Sequence, residues 1–105
     1  AQGINKIILL AHMQQLDIEV NLASRLRNVD IIVAGGSHSL LADQTDRIRT
    51  GDTAAGTYPI VRTSASGEPI AVVNPAANYR YVGRLVAEFD PQGRIVPASF
   101  DPLIN

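Results

Sequence analysis

Short apolar runs and a single amphipathic stretch divide the chain into a leading half that alternates strand and helix and a trailing half of hairpins. Lys6-Ile7-Ile8-Leu9-Leu10-Ala11 is apolar throughout after its lysine and shows no alternation. Such a run predicts a strand buried on both faces, as in a parallel sheet beneath helices. After His12-Met13 the period changes. From about Gln14 to Arg27 the spacing predicts a helix, with Leu16, Val20 and Ala23 on one face and Ile18, Leu22 and Leu26 on an adjacent stripe. Glu19, Asn21, Arg25 and Arg27 are expected in water, with the arginines in the last turn, where the helix dipole favours cations. Val29-Asp30 then opens a second apolar run, Ile31-Ile32-Val33-Ala34, closed by Gly35-Gly36. Strand, helix and strand at this spacing predict a right-handed βαβ unit with parallel strands.

From Leu40 to Thr57 the chain is rich in Asp, Thr, Arg and Gly, which predicts an ordered surface loop with one helical turn near Leu41 to Asp43. Beyond it the pattern is that of hairpins. Tyr58 to Thr63 predicts a strand, Ser64 to Pro69 a turn, and Ile70 to Asn74 a returning strand. Tyr79 to Phe89 predicts the longest strand, with Tyr81, Gly83, Leu85, Ala87 and Phe89 on one face and Val82 and Val86 on the other. Asp90 to Gly93 makes a turn and Arg94 to Val96 pairs back. The fold class is α/β of the α+β sandwich type: a βαβ unit followed by antiparallel hairpins, in one unit spanning residues 1–105.

Composition narrows what this unit can do. A chain of 105 residues can bury one stable core. With a formal net charge of -1 and 18% charged residues, it offers neither a basic face for nucleic acid nor an acidic tail. No apolar run approaches the ~20 residues of a membrane-spanning helix. Ala1 to Lys6 lacks the apolar stretch and cleavage site of a signal peptide and reads as a polar connector entered midway. The absence of cysteine excludes disulfides, thiolate metal sites and a cysteine nucleophile, and leaves the compartment open.

In open α/β sheets, ligands gather outside the carboxyl ends of the strands. The only two histidines lie there, His12 after the first strand and His38 after the second, just past Gly35-Gly36. Neutral imidazole is the commonest metal-ligating side chain, so these two are the candidate metal ligands. Each equally suits an ordinary, partly buried histidine bonded to nearby backbone. The glycine pair is no dinucleotide fingerprint, because the G-x-G-x-x-G spacing is missing, and it has a plain use in turning the chain sharply. Ser37 and Ser39 lack a nucleophile-elbow context, and no residue stands out as a catalytic acid, base or nucleophile.

Three segments, taken in order, carry a family resemblance. Ile7-Ile8-Leu9-Leu10-Ala11-His12-Met13, followed by a helix running into Leu22-Ala23, is similar to a strand ending in Ser/Thr-His. Asp30-Ile31-Ile32-Val33-Ala34-Gly35-Gly36-Ser37-His38-Ser39-Leu40-Leu41 is similar to a strand and a Gly-His-Ser/Asp-His signature. Ile70 to Asn74, Asn78-Tyr79-Arg80-Tyr81-Val82-Gly83-Arg84-Leu85 and Glu88-Phe89-Asp90 are similar to closing strands. Together they resemble the 5′-nucleotidase type of calcineurin-like metallophosphoesterases.

The resemblance implies a part of a four-layer domain that binds two divalent ions, such as Zn²⁺ or Mn²⁺, and hydrolyses phosphate esters, nucleotides foremost. It implies that His12 serves one metal and His38 the other, and that the protein is periplasmic or extracellular. The family's Asp-x-His and Gly-Asn-His motifs and its nucleoside-binding domain are not found in these residues. This implies the C-terminal portion of a catalytic domain, inactive alone and prone to self-association or to pairing with the other half through uncovered strands. One departure stands out: aligned from Asp30, the first histidine of the signature falls on Gly36, which has no side chain to offer. A one-residue shift moves His38 into the first position and leaves the second to Ser39 or Leu40. Either way one imidazole is missing, which opens an alternative: a catalytically degenerate structural or ligand-binding module on the same scaffold.

Overall fold

The computed structural model describes residues 3–104. In chain order it contains β1 (Ile8–Leu10), α1 (Leu16–Ala23), β2 (Ile31–Val33), β3 (Ile60–Thr63), β4 (Pro69–Val73) and a 3-10 turn at Pro97–Phe100. The βαβ unit forms as expected, with β1 parallel to β2 in the register Leu10↔Val33. The predicted hairpin also forms, β3 lying antiparallel to β4. Both belong to one sheet, because β4 inserts beside β2 in parallel and gives the order β1-β2-β4-β3. The composition of the two hairpin strands explains which lies inside. Ile70, Ala71 and Val72 are fully buried, whereas β3 exposes Val61, Arg62 and Thr63 and suits an edge.

Successive residues point to opposite faces of this sheet. Ile32, Ile70 and Val72 pack with Ala34 and Ala23 on the α1 side, joined by Leu9, Leu16, Val20 and Leu26. Ile31 and Ala71 pack on the other side with Ile95, joined by Leu85, Ala87, Phe89 and Phe100. This second cover stops short of β1. Leu9 is packed, but Ile8 is 60% exposed and Leu10 78%, so β1 is buried on one face only, against the expectation of two.

Several further expectations need correction. The helix is eight residues long, and Arg25 and Arg27 lie beyond its last turn. Chain reversals with positive φ at Gln14 and Asn28 bracket it and set its length. Glu19, expected in water, is fully buried. No helical turn forms at Leu41 to Asp43. Leu40 and Leu41 are instead buried and make isolated bridges to Pro75 and Gly56. Tyr79 to Phe89 is not a strand, and its hairpin is reduced to one bridge, Phe89↔Ile95. Positive φ at Asn78 and Tyr79 turns the chain across the sheet. The alternating apolar side chains then lie on a sheet face, where the edges of β2 and β4 are already paired and leave no ladder to join.

Candidate functional site

The carboxyl ends of β1 and β2 continue as two loops bound to each other. The Ala11 N–H donates to the Val33 carbonyl at 3.0 Å, and the Gln14 N–H to the Gly35 carbonyl at 3.3 Å. Between these two bonds the His12 imidazole lies against the glycine pair. A methyl group built on Gly35 would come within 3.3 Å of its Nδ1, and one on Gly36 within 2.8 Å of its Nε2. The second distance is below any real contact of that kind, and Gly36 also has φ +86. Glycine at position 36 is therefore favoured twice, by backbone conformation and by the ring that occupies the space of a side chain.

His38 lies further along the same loop, exposed, with φ 60. The third parallel strand holds this loop down. Asn74, buried at the end of β4, donates from its amide to the Ser37 Oγ at 3.0 Å and accepts the Leu41 N–H on its carbonyl at 3.1 Å. The Ala76 N–H donates to the Ser39 carbonyl. Both sequence-predicted histidines thus stand at adjacent parallel strand ends. Neither imidazole has a hydrogen-bond partner among the described residues, which leaves the lone-pair nitrogen of each neutral ring without a proton donor from the chain. Among the described residues no group of three or more His, Cys, Asp and Glu side chains converges to hold a metal.

One residue that sequence reasoning placed wrongly belongs here. The Oε1 of Glu19 accepts the Met13 N–H at 3.0 Å and the Gly35 N–H at 3.3 Å, so one carboxylate oxygen joins the loop after β1 to the loop after β2. The signal was in the sequence. Glu19 lies three residues after Leu16 and four before Ala23, on the apolar face of the helix, where a charged residue has no business unless it is bonded.

A cavity of about 370 Å³ lies elsewhere, between the 40–48 loop and residues 81–86, and neither histidine lines it. Asp43, Asp46, Arg47, Tyr58, Tyr81 and Arg84 are its ionisable lining groups. Tyr81 donates to the Asp52 carboxylate, which also holds Arg80 at 3.0 Å. Burial, with Asp46 nearby, pushes the Tyr58 phenol up from its ordinary pKa.

No family model matches the chain. The snake venom 5′-nucleotidase of Naja atra is 32% identical to it over 102 residues, 97% of this chain and 19% of that protein. The structure of Haemophilus influenzae NAD nucleotidase superposes with a TM-score of 0.81 at 33% identity, over 90% of this chain and 18% of that one. The chain is related to the 5′-nucleotidases. A 5′-nucleotidase precursor from Thermus thermophilus shares the fold at a TM-score of 0.68 and 27% identity, again over 90% of this chain and 18% of its own. The chain thus spans about a fifth of the length of the nucleotidases it matches. Sequence and fold thus agree, and the α/β architecture described above is the one these relatives share over the matched segment. No helix among the described residues is long and apolar enough to cross a membrane.

Proposed function

We propose that this chain is part of a metal-dependent phosphoesterase that hydrolyses phosphate esters, nucleotides foremost, and that it contributes His12 and His38 as metal ligands. The observation that carries the reading is the His12 imidazole, free of protein partners and fixed on the Gly35-Gly36 turn at a parallel strand end, in a relative of 5′-nucleotidases. The donor set fits such ions: neutral imidazole suits Zn²⁺ or Mn²⁺, one ring for each ion, with the remaining ligands coming from water or from residues outside this segment. When bound, a pair of divalent ions supplies an activated water and a clamp on the phosphoryl oxygens. The chain's own part is to hold two imidazoles at the rim of the sheet and to keep position 36 clear for one of them.

In this reading the segment is the C-terminal portion of a calcineurin-like catalytic domain and is inactive by itself. Export to the periplasm or cell exterior is supported by one relative being described as a precursor. The test is made on the full-length native protein. It should carry divalent metal by elemental analysis and release phosphate from nucleoside monophosphates, and His12→Ala should abolish the release while leaving the protein folded. No bound metal together with no cleavage overturns the proposal.

Gly36 favours a second reading, in which the scaffold is kept as a catalytically degenerate binding module, because the residue at that ligand position has no side chain to offer. Folded native protein that binds nucleotide but releases no phosphate with added divalent metal would support that alternative.

A further inference from the structure

Glu19 is fully buried, yet its Oε2 has no hydrogen-bond partner among the described residues. A buried polar atom left unpaired is disfavoured, and a native one calls for an explanation. An apolar side chain on this face of α1 would remove the unpaired oxygen and pack against the same neighbours, Leu16 and Ala23. What it would lose is Oε1, the common acceptor for the N–H of Met13, next to His12, and of Gly35, next to Gly36. Helix-capping roles do not account for the pairing, because the Gly35 N–H belongs to the loop after β2, sixteen residues away and outside α1. Among the described residues, that oxygen is the side-chain group that ties Met13 and Gly35, on either side of the His12 ring, to a rigid element.

We propose that Glu19 is the positioning residue of the strand-end site. By latching Met13 and Gly35 together, it holds the His12 imidazole in the single orientation that packs on Gly36. Its metal consequence rests on the reading of His12 as a ligand; its effect on the orientation of His12 does not. Groups that orient metal-binding histidines without touching the metal typically change affinity by about 10–100-fold when removed.

The experiment uses the full-length native protein with two readouts: Zn²⁺ affinity by chelator competition, and the His12 ring signals in ¹H–¹⁵N spectra of the metal-free protein. Glu19→Ala is expected to weaken Zn²⁺ binding by at least about tenfold and to shift and broaden the His12 signals. Glu19→Gln, which keeps the accepting oxygen, is expected to restore both to near wild type. Where Glu19→Ala yields no folded protein, Glu19→Asp decides, since it keeps the charge but is one methylene too short for both N–H groups. A folded Glu19→Ala or Glu19→Asp protein with unchanged His12 signals overturns the proposal, as does a Glu19→Gln protein as impaired as the alanine variant. If wild type binds no Zn²⁺, the metal reading fails while the ring signals still decide the role of Glu19.

Discussion

Gly36→Ala, compared with Gly67→Ala, isolates the contact at the centre of the site. The two glycines have nearly the same backbone, φ +86 and φ +85, but a methyl group on Gly67 meets nothing within 4 Å. On Gly36 it meets His12 Nε2 at 2.8 Å, His12 Cδ2 at 2.9 Å and the Gln14 Cα at 3.1 Å. Alanine in the left-handed region costs roughly 1–2 kcal/mol relative to glycine, and that cost is common to both variants. The loss of unfolded-state freedom on replacing glycine is common to both as well. Only Gly36→Ala must also displace the ring. Because His12 is exposed its side chain can swing aside, and leaving a packed rotamer costs about 0.5–1.5 kcal/mol. Gly36→Ala should therefore be less stable than Gly67→Ala by about 1 kcal/mol, read as a shift in urea midpoint at constant slope. In the double-mutant cycle, His12→Ala should cancel most of that difference, leaving only the Gln14 contact. Equal costs for the two alanines, or no coupling between positions 12 and 36, would refute the claim that the imidazole occupies the space of a side chain at position 36.

Two further outcomes are expected. The uncovered sheet face at Ile8, Leu10 and Val33 should make the isolated 105-residue chain associate, and Leu10→Lys should shift its sedimentation toward monomer; a wild-type chain that is strictly monomeric at high concentration contradicts this. Asp90 and Asp30 should respond oppositely to pH. The backbone N–H of Arg94, with help from its side chain and the Gln92 N–H, holds Asp90 below the usual carboxylate range, so it contributes stability above about pH 4 that is lost as pH falls through its folded pKa. Burial pushes Asp30 up against the opposing pull of the Ile7 N–H and Lys6, so its effect favours the folded state below the unfolded carboxylate pKa and is lost as pH rises through the folded value. Acid titration of Asp90→Asn and Asp30→Asn should therefore show the first variant's deficit shrinking on acidification and the second variant's growing; parallel curves would contradict the assignment.

Local pattern was enough for the βαβ unit, the β3–β4 hairpin and the location of both histidines at strand ends. Each follows from which side chains one short segment must bury and from the turn residues beside it. The Gly36 departure was equally visible, since it needs only the register of a motif. Its meaning was not, because the ring that fills the space belongs to another strand's loop.

Tertiary structure alone decided the rest, for one physical reason: periodicity records that a face is buried but not what covers it. The alternation of Tyr79 to Phe89 was real, yet the segment uses it to lie on a finished sheet and not to extend one. The apolar run of β1 expects two covers, and the described residues provide one. Glu19 sits on an apolar stripe that its charge alone would place in water, and only the two N–H groups brought to its carboxylate by the ends of β1 and β2 make its burial tolerable. The sequence by itself determined the scaffold and its two free imidazoles. The pairing of distant loops around one buried oxygen determined how the first of those imidazoles is held.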